Sequence, residues 1–131
     1  MNRIFLGLEC PYCGKDSELI DSKEMYHGTS YGMMYICRPC QAWVGCHKGT
    51  TRSLGRLAND TLRKLKHEAH EHFDILWRKK MHQQDVSKGI ARAKAYIWLS
   101  DMMGTDPELT HIGMFNEEQC ERVIEFCKPY L

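Results

Sequence analysis

An α+β fold, with a short antiparallel β ribbon at the N-terminal end followed by about three α-helices, is predicted by three features of the 131-residue sequence. Two Cys-x-x-C pairs stand in the first third of the chain. A run rich in aromatic and apolar residues leads directly into the second pair, which is typical of a strand. From residue 54 onwards the apolar residues recur at spacings of three and four, which indicates helices.

The two cysteine pairs are Cys10-Pro-Tyr-Cys13 and Cys37-Arg-Pro-Cys40, and 23 residues separate them. A two-residue spacer lets both sulfurs of a pair point at one ion, and four thiolates close a tetrahedral shell at roughly 2.3 Å. The pattern therefore predicts one structural zinc ion, although four soft thiolates also suit iron. A pair of redox dithiols is the alternative, but the βαβ context that such motifs need is absent from this sequence.

The ribbon is predicted from the residues around the second pair. Tyr31, Met33 and Tyr35 alternate with Gly32, Met34 and Ile36 before Cys37, as in a strand that delivers a cysteine to a metal. Residues 42–46 are predicted to form the return strand. The first third should therefore be an antiparallel hairpin that carries the metal ligands.

Three helices are predicted after the ribbon. The first begins at Leu54 with Ser53 as its N-cap, and its buried stripe contains Leu54, Leu57, Ala58, Leu62, Leu65, Ala69, Phe73 and Leu76. The second runs over about 86–103 and ends at Gly104, with Ala91, Ala95, Trp98, Leu99 and Met102 facing inward. The third begins after Asn116, which forms a capping box with Gln119, and it buries Cys120, Val123, Ile124 and Cys127.

The length and composition indicate a single domain over residues 1–131, with residues 51–131 packed on a zinc ribbon at 1–50. Apolar residues make up 43% and charged residues 27%, which excludes a disordered chain. Residues 1–8 have the character of neither a signal peptide nor a membrane span, so we expect a cytoplasmic protein without membrane contact. Seven cysteines in such a protein indicate metal ligands and thiols, not disulfides.

The charges are distributed unevenly along the chain. Residues 48–94 hold 12 basic and 5 acidic side chains, whereas residues 95–131 hold 2 and 7. A basic middle segment attracts polyanions. Phosphate contact is predicted for one helical face that follows the ribbon, and unpaired bases could stack on Tyr12, Tyr31 or Trp43. The predicted nucleic-acid-binding residues are Lys48, Arg52, Arg56, Arg63 and Lys66.

A second metal site is conceivable among the remaining cysteines and histidines, namely Cys46, His47, His70 and His111. These residues lack the spacing that marks the first site, and buried cysteines and surface histidines are the simpler interpretation. A metal-dependent nuclease would use His47 or His70 as general base beside Asp60 or Asp74, but no known catalytic spacing joins them.

Several longer motifs resemble those of one family, the zinc-finger-containing domains found in bacteria, prophages and phages. The motifs are Cys10-Pro-Tyr-Cys-Gly, Val44-Gly-Cys-His-Lys-Gly-Thr50, Ala69-His-x-x-Phe-Asp-x-x-Trp77 and His111-Ile-Gly-Met-Phe115. The resemblance implies a zinc ribbon with a helical extension and a phage origin, but no particular activity.

Two functions follow from these observations, with a nuclease as a third. The favoured hypothesis is a non-enzymatic zinc ribbon that binds DNA or RNA through its basic residues. The alternative is a phage or prophage regulator that inhibits a host nucleic-acid enzyme, such as a defence nuclease. Its acidic residues between Asp101 and Glu125 would then imitate nucleic acid or dock on a basic groove.

Overall fold

A computed structural model describes residues 2–131 of the chain. The chain divides into two compact units, the ribbon unit (Met1–Arg63) and the helical unit (Lys64–Leu131). Within the described residues, no helix combines the length and the apolar character needed to cross a membrane. The expectation about residues 1–8 includes Met1, which lies outside the described part. The single-domain organisation stays a prediction, and the boundary between the units follows Arg63 instead of residue 50.

The ribbon unit contains a three-stranded antiparallel sheet in the order β1-β2-β3, and this confirms the predicted ribbon. The strands are β1 (Glu18–Asp21), β2 (Met33–Cys37) and β3 (Ala42–Gly45). Cys37 pairs with Ala42 in the register of β2 and β3, and Leu19 pairs with Tyr35 in that of β1 and β2. Strand β1 was not predicted. It is only four residues long, and it begins and ends with a charged residue, Glu18 and Asp21.

The alternation along β2 sends successive side chains to opposite faces of the sheet. Met34 and Ile36 pack with Ile20 in one buried cluster, against which Trp43 lies. Cys37 faces the other way and packs with Cys10, Ala42 and Leu57. The second cluster therefore joins two of the metal ligands to the apolar core of the ribbon unit.

Residues 53–58 correct the predicted start of the first helix. Helix α1 is Asp60–Gln84, and its first turn is capped by the Asn59 side chain, which accepts a hydrogen bond from the Leu62 N–H at 3.0 Å. Ser53 instead forms an isolated bridge with Cys46, and Ala58 forms one with Trp43. Because the Ala58 N–H and carbonyl are both bonded to Trp43, the backbone there cannot be helical.

The other two helices lie close to their predicted positions. Helix α2 is Lys88–Met103, with Ser87 as N-cap and Gly104 in the left-handed conformation at its C-terminal end. Helix α3 is Glu117–Cys127, and the predicted capping box of Asn116 and Gln119 is present. These caps were recognisable because they depend on hydrogen bonds between residues near each other in the chain.

The core of the helical unit is formed by apolar side chains from all three helices and from the 3-10 turn Ile112–Met114. Phe73, Leu99, Ile112 and Val123 are almost completely buried there. One inward-facing assignment for α2, Met102, was wrong by one position. Met103 is buried while Met102 is 40% exposed, and Ser100 is buried where an apolar residue is usual. The predicted α3 stripe of Cys120, Val123, Ile124 and Cys127 is fully confirmed.

Candidate metal centre

The first pair of ligands is held in a tight turn closed by backbone hydrogen bonds. The Cys10 N–H donates to the Lys15 carbonyl at 2.8 Å, and the Gly14 N–H donates to the Cys10 carbonyl at 2.9 Å. Glu9 and Asp16 pair on either side of the turn. Gly14 has a φ of 75°, so glycine suits the position directly after Cys13.

The second pair lies in the turn between β2 and β3. Cys37 is the last residue of β2, and the Gln41 N–H closes the turn by donating to the Arg38 carbonyl at 3.1 Å. Gln41 has a φ of 50°, the same left-handed conformation that Gly14 adopts after the first pair. Each pair is thus followed by a residue with positive φ, although the closing hydrogen bonds differ, since Gly14 bonds to the fourth residue back and Gln41 to the third.

The sulfur atoms of Cys10, Cys13, Cys37 and Cys40 all lie within 4.8 Å of one another. The Cys13 and Cys37 Sγ atoms are 3.7 Å apart. A tetrahedral shell with metal–sulfur bonds of roughly 2.3 Å requires sulfurs about 3.8 Å apart, whereas a disulfide would bring them to about 2.05 Å. The spacing therefore fits four thiolates around one ion, and all seven cysteines of the described chain are free of disulfides.

The pKa values of the cysteine thiols indicate that a cation is needed to keep all four deprotonated. Burial raises the pKa of Cys10, and removal from water together with neighbouring thiols raises the pKa of Cys40 to about 12. The Lys15 backbone N–H lowers the pKa of Cys13. Four adjacent thiolates repel one another, so a bound divalent cation supplies the charge that keeps all four deprotonated.

The cluster has the properties of a structural centre. Cys10 is completely buried and Cys37 is 5% exposed, and both pack against Leu57 and Ala42. Four protein ligands leave no coordination position for a substrate or an activated water. What the centre can do is hold two turns and the core of the ribbon unit together.

The residues of the predicted second site do not form a comparable cluster. Within residues 2–131, the four cysteines are the one group of three or more potential ligands whose ligand atoms converge. Cys46 is partly buried in the ribbon unit, where burial raises its pKa, and His47 beside it is exposed. In the helical unit, partial removal from water lowers the pKa of His70, and the His111 ring lies 5.9 Å from that of Tyr96. The second site stays a prediction.

The predicted basic face is not one helical face. Lys48, Arg52 and Arg56 precede α1, and the first two are exposed. Arg56 is partly buried, and its Nε has no hydrogen-bond partner among the described residues. Only Arg63 and Lys66 of the five lie on α1.

Arg63 and Lys66 are each engaged inside their own unit. The Arg63 guanidinium stacks 3.4 Å from the centre of the Trp43 ring and donates to the Ala58 carbonyl at 2.6 Å. Lys66 Nζ donates to the Gly113 carbonyl at 2.8 Å. These contacts could not be foreseen from the chain, and they assign Arg63 and Lys66 structural roles.

The nuclease candidates also have structural partners. Asp60 lies 3.9 Å from an Arg63 nitrogen, and the Asp74 carboxylate accepts a hydrogen bond from Trp77 Nε1 at 2.8 Å. Catalysis by His47 or His70 is left as a prediction.

Comparison with known proteins agrees with this centre. A family model described as a zinc-finger-containing domain matches residues 7–130, which is nearly the whole chain and includes all four ligands. Neither the curated proteins nor the solved structures contain a match to the chain. The four-cysteine cluster is therefore a site for one zinc ion.

Proposed function

Because this chain belongs to the family of zinc-finger-containing domains and its own metal centre is structural, we propose that it acts by binding single-stranded nucleic acid. The observation that carries the proposal is a groove in the ribbon unit whose lining includes the exposed cation Arg52 and the residues that adjoin exposed Lys48 and Tyr31 in the chain. The groove is lined by Asp21, Gly32, Met33, Gly49, Thr50, Thr51 and Arg52.

One side of the groove is the basic turn, residues 47–52. The turn is rigid, since the His47 N–H donates to the Arg52 carbonyl at 2.8 Å and the Tyr35 hydroxyl donates to the Thr51 carbonyl at 2.6 Å. Lys48 and Arg52 are exposed, and neither forms an ion pair within the described residues. Two such cations on a fixed turn suit neighbouring phosphates of a strand.

Tyr31, whose side chain is 75% exposed, directly precedes Gly32 of the groove lining in the chain. Its backbone N–H donates to the Ser22 hydroxyl at 2.7 Å, and the Tyr26 ring supports it edge-on at 5.2 Å. A tyrosine held in this way offers a face to an unpaired base, and such stacking contributes about 1–3 kcal/mol per base. Phosphates at Lys48 and Arg52 and a base at Tyr31 are the contacts expected of a single strand.

The charge of Asp21 makes the two ends of the groove electrostatically different. Its carboxylate accepts hydrogen bonds from the Lys23 N–H and the Ser30 hydroxyl, which lower its pKa and keep it charged. A fixed negative charge repels phosphate. The backbone of the strand is therefore expected at the Arg52 end of the groove and away from Asp21.

The proposal predicts two separable effects on binding to a fluorescent single-stranded oligonucleotide. Lys48→Ala with Arg52→Ala should weaken binding and flatten the dependence of log K on log salt by about 1.4, since each lost phosphate contact removes about 0.7. Tyr31→Ala should weaken binding roughly 5- to 150-fold with the salt slope unchanged, because stacking is uncharged. Fluorescence anisotropy of zinc-loaded protein, with DNA and RNA of one sequence, measures both.

The matched control is Lys94→Ala with Lys128→Ala, which removes the same charge from exposed positions of the helical unit. This control should retain the wild-type salt slope. The proposal fails if wild-type protein does not bind at low salt, or if the control lowers affinity as much as the Lys48 and Arg52 variant.

The alternative function, a regulator that binds a host protein, is supported by the outer side of α3. Glu118, Glu121 and Glu125 are exposed there at spacings of three and four, opposite the buried stripe. Glu118→Lys with Glu121→Lys should abolish a stoichiometric complex with a basic partner, as measured by size-exclusion chromatography of the mixed proteins. An intact complex would exclude this surface.

A further inference from the structure

A cavity of about 260 Å³ opens on the surface of the helical unit. Its walls come from the second half of α1, from the middle of α2 and from the final 3-10 turn Lys128–Tyr130. It is separate from the metal centre and from the groove of the ribbon unit, because every lining residue belongs to the helical unit. Neither the zinc centre nor the proposed strand binding uses it.

The apolar side chains that line the cavity are aliphatic and aromatic. Leu76 and Ala95 contribute aliphatic surface, and Ala95 is small enough to leave room above it. Trp98 and Tyr130 meet edge-to-face, with ring centres 5.6 Å apart and planes at 86°. A planar ligand ring can contact both side chains, because it can stack on the face of one aromatic ring and contact the edge of the other.

The rim of the cavity is cationic. Lys79 and Lys80 both line it, and its lining within the described residues includes no acidic side chain. Lys79 Nζ donates to the Tyr130 carbonyl at 3.4 Å, which holds the ammonium at the rim while its other N–H groups remain available. Two adjacent positive charges match a doubly charged anion better than a single carboxylate.

Gln83 adds an amide that both donates and accepts hydrogen bonds. The edge of a heteroaromatic ring carries hydrogen-bond donors and acceptors that can pair with such an amide, whereas a phenyl ring has none. The size is also restrictive, because ligand pockets commonly measure about 300–1,000 Å³ and this one is smaller. It encloses one planar ring system, and the remainder of the ligand must lie at the rim.

From these features we infer that the cavity binds a 5′-phosphorylated nucleotide, with the base against Trp98 and Tyr130 and the phosphate at Lys79 and Lys80. The same chemistry is present in a free mononucleotide and in the 5′-phosphorylated end of a strand. The inference is independent of the proposed function, since it uses none of the residues of the ribbon unit.

The test is titration of the zinc-loaded full chain with adenosine 5′-monophosphate and with adenosine, followed by tryptophan fluorescence and by the NMR signal of the Trp98 indole N–H. The phosphorylated ligand should bind at least tenfold more tightly than adenosine. Lys79→Ala with Lys80→Ala should remove that preference, and Trp98→Leu should weaken both ligands. Equal affinity for the two ligands, or the absence of saturable binding at millimolar concentration, would overturn the inference.

The control variant is Lys88→Ala with Lys94→Ala, two exposed lysines of the helical unit that do not line the cavity, and it should bind the mononucleotide like the wild type. Thermal melting of each variant verifies that the fold is intact. The two sources of the ligand are distinguished with 5′-phosphoryl and 5′-hydroxyl oligonucleotides on the Lys48 and Arg52 variant. A preference for the 5′-phosphoryl strand there indicates a strand end, and tight binding of the mononucleotide alone indicates a free nucleotide. If Lys79→Ala with Lys80→Ala binds like the control, the site is rejected.

Discussion

Removal of the metal is expected to unfold the ribbon unit. A unit of about 60 residues buries little apolar surface on folding, so its free energy of unfolding is small without a metal. Structural zinc contributes an apparent 10–16 kcal/mol or so in small zinc-finger peptides, which exceeds the total stability of most domains. Cys37→Ser removes a ligand that is also part of the ribbon core, so we expect loss of the zinc and loss of hydrogen-exchange protection throughout β1–β3.

The measurements are elemental analysis of zinc and amide hydrogen exchange on protein purified without added metal. The matched control is Cys46→Ser, the same substitution at a partly buried cysteine outside the cluster, and it should retain one zinc and the protected sheet. A zinc-free Cys37→Ser protein with β-strand amides still protected would contradict a structural centre. Two zinc ions in the wild type, and one in Cys46→Ser, would establish the second site.

Phe73→Ala is expected to cost the helical unit about 3–5 kcal/mol, since truncation of a fully buried aromatic side chain leaves a cavity. Phe73 is 1% exposed, and its ring lies 4.5 Å from that of Tyr96, centre to centre. The loss is a large part of the stability of an ordinary domain. Urea unfolding followed by far-UV circular dichroism should show a lower midpoint with an unchanged m-value.

Ile75→Ala is the control on the same helix, because Ile75 is 42% exposed and its truncation should change the free energy of unfolding by only about 0.5 kcal/mol. Phe73→Leu retains most of the buried volume and should fall between the two. Equal midpoints for the Phe73 and Ile75 alanine variants would show that the core of the helical unit does not depend on this ring.

The basic residues illustrate why a charge pattern did not locate a site. Arg63 and Lys48 have the same formal charge in the sequence, but Arg63 stacks on Trp43 and bonds to Ala58 whereas Lys48 is exposed. Trp43 lies in β3, far from Arg63 in the sequence, so no local rule identifies it as a partner. Tyr31 was among the aromatic residues expected to stack on bases, and only the folded structure brings its chain neighbour Gly32 into one groove with Arg52.

The cysteine spacing by itself determined the metal centre, because two-residue spacers set the sulfur geometry within each turn. The capping box of Asn116 and Gln119 and the buried stripe of α3 were equally accessible, since their contacts join residues three or four apart. Only the tertiary structure decided where α1 begins. Leu54, Leu57 and Ala58 satisfy the helical period, but the Ala58 backbone is bonded to Trp43, 15 residues earlier in the chain. A backbone group paired with a distant strand is unavailable to a helix, and hydrophobic periodicity does not record that competition.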